Sequence, residues 1–213
     1  MPSRALGLIL LVAVAAGLGL LAAQAWWPRQ AAPPALQQVR LFPQARALPP
    51  FSLRQAGDGR LDAASLRGRW TLVFLGFSAC PDVCPTTLAR LAQAQVRWAK
   101  LPLATRPRVL FVSVDPERDT PQRLLVYAHG FHPDTLAATG DEAALQAFAR
   151  SVGFVFAKHP GPDYAHNPQD YSMDHSAQLA VLDPQARMAG IVSPDFDPAA
   201  LARDLLALTE AGR

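Results

Sequence analysis

The sequence predicts an α/β domain with a mixed central sheet, carried behind an apolar N-terminal segment and a proline-rich stalk. Three observations lead there. Trp70–Phe77 (WTLVFLGF) and Val109–Val114 (VLFVSV) are continuous apolar runs of strand length, fit for strands buried on both faces. Between them, Leu88 to Trp98 repeats apolar residues at helical spacing. Near the C-terminus, Gln178–Leu182, the turn Asp183-Pro184-Gln185-Ala186 and Met188–Val192 spell a hairpin, and a last helix follows from Pro198 to Leu208.

Taken in order, Ala5–Ala23 is 19 residues without one polar side chain. As a helix it measures about 28 Å, against a hydrocarbon core of about 30 Å. Arg4 precedes it, and Trp26 and Trp27 follow where an aromatic belt would lie, so everything after Trp27 is expected outside the cytoplasm. Residues 1–27 are expected to be a membrane anchor, a transmembrane helix; Ala23-Gln24-Ala25 also fits a signal-peptide cleavage site. Residues 28–50 hold six prolines, no glycine and no acid, which predicts a semi-rigid extended linker. Residues 51–213 then form one domain, long enough for a sizeable core. It opens with a hairpin-like stretch around Ala56-Gly57-Asp58-Gly59, flanked by Leu53 and Leu61. Thr120-Pro121 and Asp141 read as helix starts. Gly153–Ala157 reads as a short strand, and His159–Asp174 as a polar, proline-rich loop.

The formal charge of +3 divides unevenly along the chain. Residues 1–57 contain five arginines and no acid, whereas the remainder nets −2. A nucleic-acid binder carries its basic patch on the folded domain, so that class is excluded. A composition that is 50% apolar and 17% charged excludes disorder. Two cysteines exclude a disulfide-stapled scaffold and any four-cysteine zinc or iron–sulfur site.

The chemistry concentrates in Ser78-Ala79-Cys80-Pro81-Asp82-Val83-Cys84-Pro85, between the end of a buried strand and the start of a helix. Ligands bind at the carboxyl ends of strands in such sheets. Pro85 is a helix-opening residue, so Cys84 is expected near the N-cap, where the helix dipole lowers a thiol pKa. Three readings stand side by side: a structural disulfide, a redox dithiol, and a soft-metal site using both thiolates. The spacing is C-x-x-x-C, one residue longer than the C-x-x-C of dithiol oxidoreductases. Two sulfurs leave a metal site short of ligands. His175 is one candidate for the third, standing just before the apolar strand Leu179–Leu182, with Asp174 beside it as a group that could orient it. Met173 is a softer alternative; His129 and His132 flank a helix end, and His159 and His166 fall in the polar loop.

With Cys80-Pro81-Asp82-Val83-Cys84-Pro85, Asp115-Pro116-Glu117-Arg118-Asp119-Thr120-Pro121 and Asp174-His175 occurring in that order, the chain from Phe51 onward resembles the Sco/SenC copper-chaperone family. The anchor and stalk fit as well. The resemblance implies a thioredoxin-like fold and a copper site of Cys80, Cys84 and His175, holding Cu(I) or Cu(II). It implies a role in assembling the dinuclear copper centre of cytochrome c oxidase, with oxidase subunit II or another copper enzyme as target and a separate copper donor protein. Cys80 and Cys84 could also close a redox disulfide, which couples metal loading to redox state. The expected location is the inner membrane, single-pass, with the C-terminal domain in the periplasm. An exported thiol–disulfide oxidoreductase of thioredoxin or peroxiredoxin type is the alternative; Thr86, Thr87 and Arg118 would then serve a peroxidatic cysteine.

Overall fold

The computed structural model describes residues 7–9, 11–19 and 35–212. It divides into two units, residues 1–33 and 34–213. In the first, residues 7–9 and 11–19 are helical and exposed. Among the described residues no helix is long and apolar enough to cross a membrane. The rest of the expected anchor, the Ala23-Gln24-Ala25 site and Trp26-Trp27 lie outside the described residues.

The second unit is built on a six-stranded sheet. Its central pair is β4 (Thr71–Gly76) and β5 (Arg108–Ser113), parallel and buried at every position, as two continuous apolar runs require. β6 (Leu136–Ala138) continues the sheet in parallel beyond β5. On the other side β9 (Leu179–Leu182) and β10 (Arg187–Val192) add antiparallel strands, and β1 (Val39–Ala47) pairs antiparallel with β10 at the edge. Two hairpins lie apart from this sheet: β2 (Leu53–Arg54) with β3 (Arg60–Leu61), and β7 (Phe156–Pro160) with β8 (Tyr171–His175).

Four helices complete the unit: α1 (Val83–Trp98), α2 (Pro121–His129), α3 (Glu142–Ser151) and α4 (Pro198–Ala211). Thr120, Asp141 and Asp197 each accept a hydrogen bond from a backbone N–H of the first turn, and Pro121 and Pro198 open their helices. These caps satisfy amide groups that a helix start leaves unpaired. α1 packs against α4, and α2 against β6. α1 begins at Val83, five residues before the first residue that periodicity alone suggests.

Two stretches expected as irregular are strands. The linker expected over 28–50 does not reach Pro50, because Val39–Ala47 forms β1. Proline is tolerated there since β1 is an edge strand, and Pro43 falls where the register shifts, between Leu41 and Arg46. β10 meets this strand so closely that a Cβ at Gly190 would stand 2.4 Å from the Arg40 carbonyl oxygen. Likewise the expected loop His159–Asp174 is the β7–β8 hairpin, with only residues 161–170 as its connection. Its outward residues are small or polar (Ala157, His159, Ser172 and Asp174) because one face meets water, so no apolar run marks it.

Candidate metal centre

Where β4 ends, the chain turns through Phe77 and Ser78 into the cysteine loop and enters α1. Asp119 anchors the turn. Its carboxylate is buried and accepts from the Ser78 N–H at 2.8 Å, from the Ser78 hydroxyl, and from the Ser113 hydroxyl at 2.5 Å. Cys80 follows with partial exposure, and its N–H donates to the Phe77 carbonyl at 3.3 Å. Asp82 is exposed at the helix cap; its carboxylate accepts from the Thr86 hydroxyl at 3.5 Å and its carbonyl from the Thr86 N–H at 3.2 Å.

Cys84 sits one residue inside α1 and is fully buried against β4. Gly76 makes this possible: a Cβ there would lie 2.8 Å from the Cys84 Sγ and 2.8 Å from a Phe111 ring carbon. The expected lowering of the Cys84 pKa is reversed. Burial pushes the thiol up from its ordinary 9.0, outweighing the helix start, because the charged form loses solvation in the core. The Cys84 N–H points at the Cys80 Sγ, 3.5 Å away, and both cysteines are free thiols.

His175 ends β8 and swings over this pair. Its Nε2 lies 3.5 Å from the Cys84 Sγ, and its Nδ1 lies 3.2 Å from the Ser176 carbonyl oxygen. A carbonyl only accepts, so Nδ1 carries the proton and Nε2 offers its lone pair to the thiols. Phe74 and Phe77 meet the imidazole edge-on, with centroids at 5.9 and 6.0 Å. Burial lowers the His175 pKa, which keeps the ring neutral and able to ligate. The three ligand atoms of Cys80, Cys84 and His175 all lie within 4.8 Å of one another. A cavity of about 560 Å³ opens beside them, walled by Phe77, Pro81, Val83, Met173 and Ala177.

The other candidates are placed elsewhere. His159 pairs with Asp174 at 3.0 Å, so Asp174 does not orient His175; the Ser176 carbonyl does. His166 pairs with Asp163 at 3.1 Å, and His132 with Gln95 at 3.1 Å. His129 lines a separate cavity. Met173 is buried and reaches the cavity wall. Gly76, Asp119 and Ser176 are contributors that the sequence reading missed. Only Asp119 had a signal, as part of the Asp115–Pro121 motif.

Two soft thiols and a neutral imidazole, gathered at the end of a parallel strand in an α/β domain, define a thioredoxin-like protein with a soft-metal site. The chain belongs to the SCO1/SenC family, whose model matches residues 41–210. A Stutzerimonas stutzeri relative is 34% identical over 154 residues, covering 71% of this chain and 72% of its own length. The mitochondrial Arabidopsis thaliana SCO1 homolog 1 is 33% identical over 148 residues, 70% of this chain and 42% of that protein. The cattle mitochondrial SCO2 homolog is 34% identical over 145 residues, 62% of this chain and 53% of that protein. The chain thus spans about half the length of these mitochondrial relatives. Among solved structures, Arabidopsis thaliana ScoI with copper bound aligns with a TM-score of 0.67 and 30% identity, covering 78% of this chain and 99% of that one. Bradyrhizobium japonicum ScoI, also with copper bound, gives 0.66 and 33%, covering 75% and 97%.

Proposed function

We propose that this protein is a membrane-anchored copper chaperone that holds copper on Cys80, Cys84 and His175. The observation that carries the reading is the convergence of those three ligand atoms within 4.8 Å beside an open, largely apolar cavity. Soft thiolates select copper over hard cations, and imidazole completes a trigonal Cu(I) site or part of a Cu(II) site. The two relatives with copper bound support copper as the metal. Cys84 is locked in the core, whereas Cys80 is partly exposed, so an incoming target thiolate reaches the metal on the Cys80 side. Copper then passes by ligand exchange without release to water.

The family supports a role in assembling the dinuclear copper centre of cytochrome c oxidase, with subunit II or another copper enzyme as recipient and a separate protein as donor. Ala5–Ala23 supplies the anchor, and the domain works in the periplasm, an orientation favoured by Arg4 on the N-terminal side of that segment.

The test is titration of the reduced full chain with Cu(I) in competition with a chromophoric chelator. About one copper per chain is expected, and Cys84→Ser abolishes the competition. His175→Ala loses the thiolate charge-transfer band of the Cu(II) form. Absence of competition in the wild type defeats the chaperone reading. Insulin reduction that needs Cys80 and Cys84 and ignores copper would favour the oxidoreductase instead.

A further inference from the structure

We propose that the turn Asp115–Asp119 is a two-armed clamp that sets the cysteine loop and the His175 strand at ligand distance, with Arg118 as the positioning residue for His175. It follows β5 directly, beside the carboxyl end of β4. One arm is Asp119, which holds Ser78 two residues before Cys80. The other arm is Arg118 with Asp115. The buried Asp115 carboxylate accepts from the Arg118 Nε and, at 2.7 Å, from the Tyr171 hydroxyl. Arg118 Nη1 donates to the Tyr171 carbonyl at 3.3 Å, and the guanidinium stacks 3.8 Å over the Tyr171 ring. The guanidinium carbon also lies 5.6 Å from the ring of Phe77, the residue whose ring meets His175 edge-on.

Tyr171 opens the strand that His175 closes. That strand pairs only with β7 and takes no place in the six-stranded sheet. A two-stranded hairpin is marginal by itself, so its position over the thiols has to come from outside the ladder. Lys158 helps from β7, 2.8 Å from Glu117 and 4.0 Å over Tyr171, but Glu117 is exposed and such pairs hold little. The Arg118–Asp115 pair is different, because its carboxylate is buried: removing the arginine strands that charge. Lysine could not replace the fork, which reaches a carboxylate and a carbonyl together.

The consequence is specific to one oxidation state. Soft thiolates supply most of the Cu(I) affinity, with the imidazole as a weaker third ligand, whereas Cu(II) depends on the imidazole. Loosening β8 therefore costs Cu(II) and spares Cu(I). The inference rests on the copper reading above, and the experiment separates the two. The full chain in mild detergent, as wild type, Arg118→Met and Tyr171→Phe, is followed by amide hydrogen exchange without metal, then titrated with Cu(I) and Cu(II). Both variants should exchange faster over residues 171–175 with residues 179–182 unchanged. Their Cu(II) affinity should fall about 10- to 100-fold, the usual penalty for losing a supporting contact, with Cu(I) affinity within about threefold of wild type. If Arg118→Met does not fold, Tyr171→Phe decides by the same readouts. Unchanged exchange, or acceleration spread equally through residues 179–182, overturns the clamp. A wild type that takes no copper defeats the copper reading while the exchange data still decide whether the clamp exists.

Discussion

Besides its ladder to β10, the start of the edge strand β1 is pinned by one carboxylate, and removing that group has a calculable cost. Asp204 on α4 is buried, and its carboxylate accepts from the N–H groups of Gln37 at 2.9 Å, Gln38 at 2.6 Å and Val39 at 2.9 Å. Asp204→Ala removes all three acceptors while keeping a strong helix former in α4. Val39 is buried, so its N–H finds no water and costs about 1–3 kcal/mol. Gln37 is exposed and Gln38 half-buried, so those N–H groups partly rehydrate and add about 1 kcal/mol together. The sum is about 3 kcal/mol, or a Tm lowered by about 6–12 °C for a domain of this size. Urea and thermal unfolding of the full chain followed by circular dichroism read the change, and hydrogen exchange over residues 39–47 should accelerate most. Asp204→Asn, which keeps one acceptor, should lose about half as much. A loss under about 0.5 kcal/mol in Asp204→Ala would show that β1 docks without the carboxylate.

Two further outcomes are expected. Gly76→Ala places a methyl at 2.8 Å from the Cys84 sulfur and the Phe111 ring, so overpacking should cost about 1–3 kcal/mol and shift the Cu(II) spectrum; an unaltered spectrum would mean that the sulfur has room. In the metal-free protein, stability should be flat between about pH 6.5 and 9 and fall on both sides. Below 6.5 the unfolded chain protonates His175 and His132 more readily, since burial lowers both in the fold; above 9 the unfolded chain ionises Cys84, which the fold keeps protonated. Urea midpoints from pH 5 to 10 test this, and a maximum displaced to either end would contradict it.

What the sequence disclosed depended on how local each signal was. β4 and β5 announce themselves because both faces are buried, leaving an uninterrupted apolar run. The thiols sit four positions apart at a strand–helix junction, and one short window contains them. His175 is 91 residues from Cys84, so spacing could not join them; residue chemistry made it one candidate among several, and the family resemblance selected it as the third ligand. β1 buries one residue, Val39, and contains Pro43, so neither alternation nor composition marked it as a strand; its partners, β10 and Asp204, are at least 140 residues away. The direction of the Cys84 pKa was misread for the same reason. A helix start is visible in sequence, whereas the burial that overrides it comes from β4 packing across Gly76.

That reversal governs how the site loads. Only a thiolate ligates copper, and Cys84 holds its proton at neutral pH because burial disfavours the anion. Metal binding must therefore expel that proton, while His175, lowered by burial and already neutral, releases none. Calorimetry of Cu(I) loading at pH 7 in buffers of different ionisation enthalpy should count at least one proton released per copper. The apparent affinity should rise about tenfold per pH unit for each proton so released, the sign being that higher pH favours loading. In the metal-free Cys80→Ser chain, thiolate absorbance should report a single thiol ionising above 9. A midpoint at or below 9, or an affinity independent of pH, would mean that the dipole of α1 wins after all and that Cys84 stands ready as a thiolate before the metal arrives.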